Sequence, residues 1–135
     1  MTVFADTSAL FALLDAEGTD HARAAEAFRA LAGEDLVTHR YVIAEAAALV
    51  RRRLGPSSVA DLVDGLLAPM TVLGLADDVF DAVLTAHAGA SGASGLSLVD
   101  RLSFELMRRE RITTAFAFDR DFLAAGFAVL PAPRP

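Results

Sequence analysis

The chain has 135 residues, of which 54% are hydrophobic and 22% charged, so it is long enough to fold as one domain around its own core. It has no cysteine, and all 12 basic residues are arginine, which excludes disulfides, thiol nucleophiles, thiolate metal sites, lysine Schiff bases and the P-loop lysine. The net charge of −6 disfavours a non-specific nucleic-acid binder, and the chain shows neither a membrane-length apolar run nor a secretory signal, so we expect a cytoplasmic protein.

The hydrophobic pattern predicts short strands that alternate with helices. In chain order these are a strand over 2–5, helices over 7–14 and 22–32, a strand over 36–38, helices over 41–54 and 57–68, a strand over 70–75, helices over 77–88 and 96–110, a strand over 113–118, a short helix over 121–125 and a strand over 127–130. Residues 89–95 predict a flexible loop, and residues 131–135 a frayed tail. The alternation favours an α/β fold, a three-layer α/β/α sandwich with a mainly parallel central sheet, built as a single domain over 1–135.

Two acidic residues stand where ligands usually bind in such a sheet. Most of the 18 acids have an ordinary explanation at helix starts or on solvated helix faces. Asp6 and Asp119, however, each follow a predicted strand directly, at its carboxyl end. Either residue can instead cap the helix that follows it, and Asp121 competes with Asp119 for whatever role that position has.

Glu45 and Asp100 lie on predicted helix faces that are otherwise apolar. Each has hydrophobic neighbours three or four residues away on the same face. Glu45 can be a boundary residue whose carboxylate reaches water, whereas an aspartate in an apolar row is costly unless it is paired or bound to a metal. Ser97 and Ser103, three residues before and after Asp100, offer hydroxyls that either support a site or simply bond a structural aspartate.

The joint placement of these four acids favours a metal site. Two at strand ends and two on inward helix faces can converge in one cleft, where they cannot all be ionised without a cation. The donors are oxygens only, because we expect His21 and His87 on helix surfaces and His39 in a loop. Such a set selects Mg²⁺ or Mn²⁺. A site of this kind suits phosphoester hydrolysis, because the ion acidifies a bound water and offsets charge on the phosphoryl oxygens.

Four segments together carry a family resemblance. They are Asp6-Thr7-Ser8-Ala9-Leu10 after the first strand, Glu45 in a helix, Leu98-Val99-Asp100-Arg101-Leu102-Ser103-Phe104 in a later helix, and Ala117-Phe118-Asp119-Arg120-Asp121-Phe122 after a later strand. In this order they resemble the PIN-domain family, and more closely the VapC toxins of bacterial toxin–antitoxin systems, over essentially the whole chain. One position departs from the pattern, since many members carry threonine or serine where this chain has Ala117.

The resemblance implies a Mg²⁺-dependent endoribonuclease, with Mn²⁺ as a possible substitute. The carboxylates that match Asp6, Glu45, Asp100 and Asp119 hold the metal in that family, and the serine that matches Ser8 supports the first aspartate. Such proteins cleave cellular RNA, often tRNA or rRNA, through a metal-activated water that attacks a phosphodiester. They usually form homodimers and are silenced by a small antitoxin of the VapB kind, whose tail lies across the active site.

RNA as a substrate requires a local exception to the negative net charge. Arg40 and Arg120 are candidate RNA contacts, and the three arginines at 51–53 could extend a positive rim. For the latter, compensation of a helix dipole is the more ordinary explanation. The broad apolar faces of the helices over 22–32 and 57–68 are either core or a protein interface. Together with the resemblance to VapC toxins, they favour a homodimer that also binds an antitoxin.

Other functional classes fit less well. A phospho-accepting receiver domain needs a lysine that this chain lacks, and a HAD-type phosphatase needs a second aspartate where Ser8 stands. The alternative that stays open is a catalytically silent PIN-like module that only binds partner proteins. A metal titration separates it from a nuclease, since a pure binding module has no reason to keep a Mg²⁺ site.

Overall fold

The computed structural model describes residues 1–90 and 95–134, so residues 91–94 of the predicted loop and residue 135 of the predicted tail lie outside the described residues. The elements, in chain order, are β1 (Thr2–Ala5), α1 (Thr7–Leu14), α2 (His21–Ala30), β2 (Asp35–His39), α3 (Arg40–Leu54), α4 (Pro56–Ala60) with a π-helical continuation (Asp61–Leu67), β3 (Thr71–Leu73), α5 (Asp77–Gly89), α6 (Leu98–Arg109), β4 (Thr114–Phe116), α7 (Arg120–Ala124) and β5 (Ala128–Leu130).

The five strands form one sheet in the order β3-β2-β1-β4-β5, and every described pairing is parallel. From β1 the chain builds outward through β2 to β3, then returns to the other side of β1 to add β4 and β5. The strand order therefore reverses between β1 and β4. In open parallel sheets, ligands bind beyond the carboxyl ends of the strands at such a reversal, so this point is where a site is expected.

Neighbouring residues of the central strands enter two different hydrophobic clusters. Phe4 and Ala115 pack with buried residues of α3, α6 and α7, whereas Val3 and Phe116 pack with buried residues of α1 and α2. Because successive strand residues point to opposite faces, helices cover both sides of the sheet. The predicted three-layer α/β/α sandwich is confirmed. No helix within the described parts of the chain is both long and apolar enough to cross a membrane.

The predicted helix over 57–68 differs in form from the structure. It begins at Pro56, and Gly55 precedes it with a φ of 94°, a conformation that glycine adopts without strain. From Asp61 the hydrogen bonding widens to the π pattern, in which residues five apart are bonded. That spacing turns both Leu62 and Leu67 into the core, whereas Val63 stays 49% exposed.

Strand ends shift in a way that matters for the site. The strand predicted over 113–118 ends at Phe116, so Asp119 follows it after two further residues rather than directly. The strand predicted over 36–38 runs on to His39, which leads straight into α3. From Pro131 the described tail has no regular secondary structure, but the carbonyl of Ala132 accepts a hydrogen bond of 2.6 Å from Arg23.

Candidate active site

Asp6 is the innermost acid of the site. It follows β1, is 3% exposed, and caps α1 as its sequence position allowed. Its Oδ2 accepts hydrogen bonds from the Ser8 amide, at 3.1 Å, and the Ser8 hydroxyl, at 2.6 Å. The Ser8 Oγ in turn accepts the amide proton of Phe118 at 2.9 Å. Ser8 therefore holds the Asp6 carboxylate by two hydrogen bonds and also ties the end of β1 to the segment after β4.

Asp119 and Asp121 lie together at the start of α7. Asp119 caps this short helix, since its Oδ1 accepts the Asp121 amide proton at 2.9 Å. Asp119 therefore does cap the helix that follows it, which was the alternative to a role in a site. The same turn also brings the two half-buried carboxyl groups to one side of the helix start, so capping and participation in a site do not exclude each other.

Asp100 enters the site from the first turn of α6. Ser97 and Asp100 form a capping box, in which the Asp100 amide donates to Ser97 Oγ at 3.0 Å and the Ser97 amide donates to Asp100 Oδ2 at 3.2 Å. Ser97 thus fixes the backbone and the side chain of Asp100 through these two hydrogen bonds. Ser103 does not play the same part: it is fully buried, and its hydroxyl donates to the Val99 carbonyl at 2.9 Å.

Three carboxylates converge most closely. One oxygen each of Asp100, Asp119 and Asp121 can be chosen so that all three lie within 4.8 Å of one another, and all three residues are half-buried. Asp121, expected only as a supporting residue or a competitor of Asp119, thus stands beside both. Among the described residues this tight set does not extend to Asp6 or Glu45. The half-buried Glu45 is nevertheless close enough that its charge acts on Asp100.

The electrostatics of the site are those of crowded carboxylates. Burial raises the pKa of Asp6 to about 7, against the Ser8 hydrogen bonds that lower it, and the charges of Asp100 and Asp119 add to the rise. Burial likewise raises the pKa of Asp100, with further contributions from Asp119 and Glu45. Burial and the charge of Asp119 also raise the pKa of Asp121. Without a cation, protons are the species that relieve this repulsion.

The donor set fits a hard divalent cation. Its atoms are carboxylate oxygens, and three of them lie close enough together to share one ion. The half-buried placement leaves room for water ligands, which Mg²⁺ keeps in most protein sites. Asp100, Asp119 and Asp121 are the residues best placed to hold such an ion, with Asp6 and Glu45 close enough to contribute negative charge.

His39 contradicts the expectation that it lies in a loop. It is 1% exposed at the end of β2, and its Nδ1 caps α3 by accepting the amide protons of Tyr41 and Val42 at 3.1 and 3.2 Å. Its Nε2 lies 2.9 Å from Ser103 Oγ. Burial lowers the pKa of His39 to about 4, so the neutral ring donates from Nε2 to Ser103. The ring thereby joins α3, which carries Glu45, to α6, which carries Asp100.

The sequence does contain a signal for the position of His39. A polar residue directly before a helix start is a typical N-cap, and a histidine there can cap through Nδ1. The other two histidines lie on helices as predicted, but they are half-buried rather than at the surface. His21 Nδ1 lies 2.9 Å from the Ala12 carbonyl oxygen, and His87 Nδ1 accepts a hydrogen bond of 3.0 Å from Arg101.

The candidate RNA contacts occupy different surroundings. Arg120 is exposed at the first position of α7, between Asp119 and Asp121. Arg40 is exposed at the start of α3. The three arginines at 51–53 are exposed in the last turn of α3, the position in which a helix dipole favours positive charge.

Comparison with known proteins agrees with this arrangement. The crystal structure of Mycobacterium tuberculosis VapC20, a sarcin–ricin loop cleaving toxin, has 28% sequence identity and a TM-score of 0.82, and the match covers 93% of this chain and 96% of that one. PAE2754 from Pyrobaculum aerophilum shares the fold at 19% identity and a TM-score of 0.61, over 96% of this chain and 90% of that one. No curated protein matches the sequence. The family model for the PIN domain matches residues 3–128, and the chain therefore belongs to the PIN-domain family.

Proposed function

We propose that this protein is a metal-dependent endoribonuclease toxin of the VapC type. The observation that carries the proposal is the convergence of Asp100, Asp119 and Asp121 beside the buried Asp6, at the point where the strand order reverses. A cleft of acids in a chain similar to VapC20 suits hydrolysis of a phosphodiester. A catalytically silent PIN-like module would have no use for this costly arrangement of like charges.

The metal in this proposal is Mg²⁺, with Mn²⁺ as a substitute, held by Asp100, Asp119 and Asp121 with support from Asp6 and Glu45. When bound, the ion supplies positive charge for the phosphoryl oxygens and lowers the pKa of a water. The role of the protein is to hold the carboxylates together before the substrate arrives. The capping box at Asp100 and the helix caps formed by Asp6 and Asp119 do this, because they fix the backbone at these three acids.

Asp6 has a separate part in this proposal. With a pKa near 7 it is about half protonated at neutral pH, and Ser8 holds its Oδ2 in place in either state. Its proton is lost when positive charge enters the cleft, so metal affinity should rise with pH through the range around 7. Asp6 thus couples the occupancy of the site to pH.

The natural substrate in this proposal is cellular RNA. VapC20 cleaves the sarcin–ricin loop, so ribosomal RNA is the first RNA to examine, and tRNA the second. The partners are a second copy of the chain and a small VapB-like antitoxin. An arginine of the antitoxin placed among the carboxylates would offset their charge in the same way as the metal does.

The test of the activity is cleavage of total RNA by the purified protein, with Mg²⁺ or with EDTA, followed by mapping of the cleaved ends. We expect discrete ends that need Mg²⁺ and that vanish for Asp100→Asn, which keeps the shape of the side chain and removes its charge. Wild-type cleavage rates in Asp100→Asn would contradict the site assignment. Absence of both Mg²⁺ binding and RNA cleavage would favour the silent binding module.

The test of the partners is light scattering of the protein alone and with the product of the adjacent gene. We expect a dimer at tens of micromolar and a larger complex in which RNA cleavage stops. A strict monomer that ignores that product would remove the toxin–antitoxin part of the proposal and leave a free-standing nuclease.

A further inference from the structure

A cavity of about 640 Å³ opens beside the carboxylate cluster, and Asp119 belongs to both. It lies between α2, the start of α7, β5 and the C-terminal segment, and its lining includes apolar and cationic side chains. Cavities of this size bind small ligands in other proteins. Because Asp119 lies at its edge, whatever enters the cavity lies next to the proposed reaction centre.

The apolar part of the lining faces solvent. Leu123 is 49% exposed, and Phe118 and Val129, which also line the cavity, are only half-buried. The guanidinium of Arg23 lies 5.6 Å from the centroid of the Phe118 ring. A flat aromatic ring, a flat guanidinium and open aliphatic groups are the surface on which an unpaired nucleobase stacks.

The charged side chains of the lining include more cations than anions, whereas the protein as a whole is negatively charged. Three of the 12 arginines, Arg23, Arg120 and Arg134, line this cavity in a chain of net charge −6. The acids of the lining are Asp20 and Asp119, and the second of these belongs to the proposed metal site. The exposed Arg120 and Arg134 are the two cations suited to a phosphate group.

From these observations we propose that the cavity binds the nucleotide next to the scissile phosphodiester, with the base against Phe118 and Leu123 and the adjoining phosphate near Arg120 and Arg134. This inference rests on the proposed ribonuclease function and adds to it a place where the RNA strand is held. Stacking on a ring or a guanidinium is tolerant of sequence, so the cavity should hold unpaired nucleotides of any base better than paired ones. It would restrict cleavage to loops and single strands.

Direct binding can be measured with nucleoside 5′-monophosphates in Mg²⁺ buffer, followed by amide NMR shifts of the whole protein. We expect all four nucleotides to shift the amides of Phe118, Leu123 and Val129, and to bind about tenfold more tightly than inorganic phosphate does. Equal affinity for inorganic phosphate, or shifts confined to the carboxylate cluster, would overturn the inference, because the base would then add nothing.

Matched variants test the same point in catalysis. Leu123→Ala and Arg134→Gln change exposed residues of the cavity, and Leu84→Ala and Arg29→Gln change exposed residues of the same types outside its lining. We expect the first pair to raise KM for a single-stranded oligoribonucleotide by about five- to tenfold with little change in kcat, and the second pair to leave KM unchanged. The inference fails if both pairs behave alike.

The two levels of the proposal can fail separately. Asp100→Asn should still bind nucleotides in the cavity while it loses cleavage, because Asp100 is not part of the lining. A wild-type protein that binds nucleotides there but cleaves no RNA would refute the ribonuclease function. A wild-type protein that cleaves RNA but shows no nucleotide binding in the cavity would refute the cavity alone.

Discussion

Replacing Asp6 with asparagine should stabilise the metal-free protein. Asp6 is almost fully buried, and the displacement of its pKa from 3.8 to about 7 corresponds to about 4 kcal/mol of unfavourable free energy when it is ionised. An asparagine Oδ1 can accept the same hydrogen bonds from Ser8, but burial of its NH₂ group costs about 1–2 kcal/mol. We therefore expect Asp6→Asn to raise the free energy of unfolding by about 2–3 kcal/mol at pH 8 in EDTA.

The sign of the effect depends on pH. Because the pKa of Asp6 is raised by folding, the folded protein binds more protons than the unfolded chain between about pH 4 and 7. The contribution of Asp6 to the free energy of unfolding is therefore most favourable at low pH, and it is lost as the pH rises to 7. His39, whose pKa burial lowers to about 4, acts in the opposite direction between pH 4 and 6.5. We therefore compare the free energies of unfolding of Asp6→Asn and the wild type at each pH. The advantage of the variant should shrink or reverse near pH 4.

The assay is urea unfolding of wild type and Asp6→Asn at pH 4, 6 and 8, in EDTA and in Mg²⁺. Asp64→Asn, which changes an exposed acid outside the carboxylate cluster, is the matched control and should differ from wild type by less than about 0.5 kcal/mol. Mg²⁺ should stabilise the wild type at pH 8 more than it stabilises Asp6→Asn. If Asp6→Asn is no more stable than wild type at pH 8 in EDTA, the reasoning from buried charge is wrong.

Three further predictions concern other parts of the molecule. Asp100→Asn should lower RNA cleavage by at least about 100-fold, while its melting temperature in EDTA stays at or above that of the wild type; a lower melting temperature would mean that Asp100 acts mainly as a helix cap. His39→Asn and Ser103→Ala should each cost about 2 kcal/mol in urea unfolding. The double variant should cost less than their sum, because it lacks the Nε2–H group that Ser103→Ala alone leaves unpaired; strict additivity would contradict the link. Arg52→Gln should weaken RNA binding only at low salt in a filter-binding assay, and a loss of cleavage comparable with that of Asp100→Asn would place it at the scissile phosphate.

Much of the fold was determined by local sequence pattern. The order of strands and helices follows from hydrophobic spacing and from capping residues, and β1 and α1 have the predicted bounds. The three-layer class follows from the alternation itself, because parallel strands need crossover helices on their faces. The positions of Asp6 and Asp100 could be singled out in the same way, since a carboxylate after a buried strand or in an apolar row needs a reason.

Contacts between distant segments could not be read from that pattern. Asp121 was expected only to support or to compete with Asp119, yet it lies beside both Asp119 and Asp100, because capping of α7 by Asp119 turns both carboxyl groups towards the first turn of α6. Ser103 was expected near Asp100, but it faces His39 on another element. Spacing along one helix states which residues share a face and not what that face meets.

The site as a whole depends on the tertiary structure. Sequence determined which residues are acidic, which helices they begin and which strand ends precede them. Only the strand order, with β4 inserted beside β1, brings Asp119 next to Asp6 across more than 110 residues of chain. The raised pKa values of Asp6 and Asp100 also depend on the tertiary structure, because they require burial by several elements and the charges of acids on separate helices.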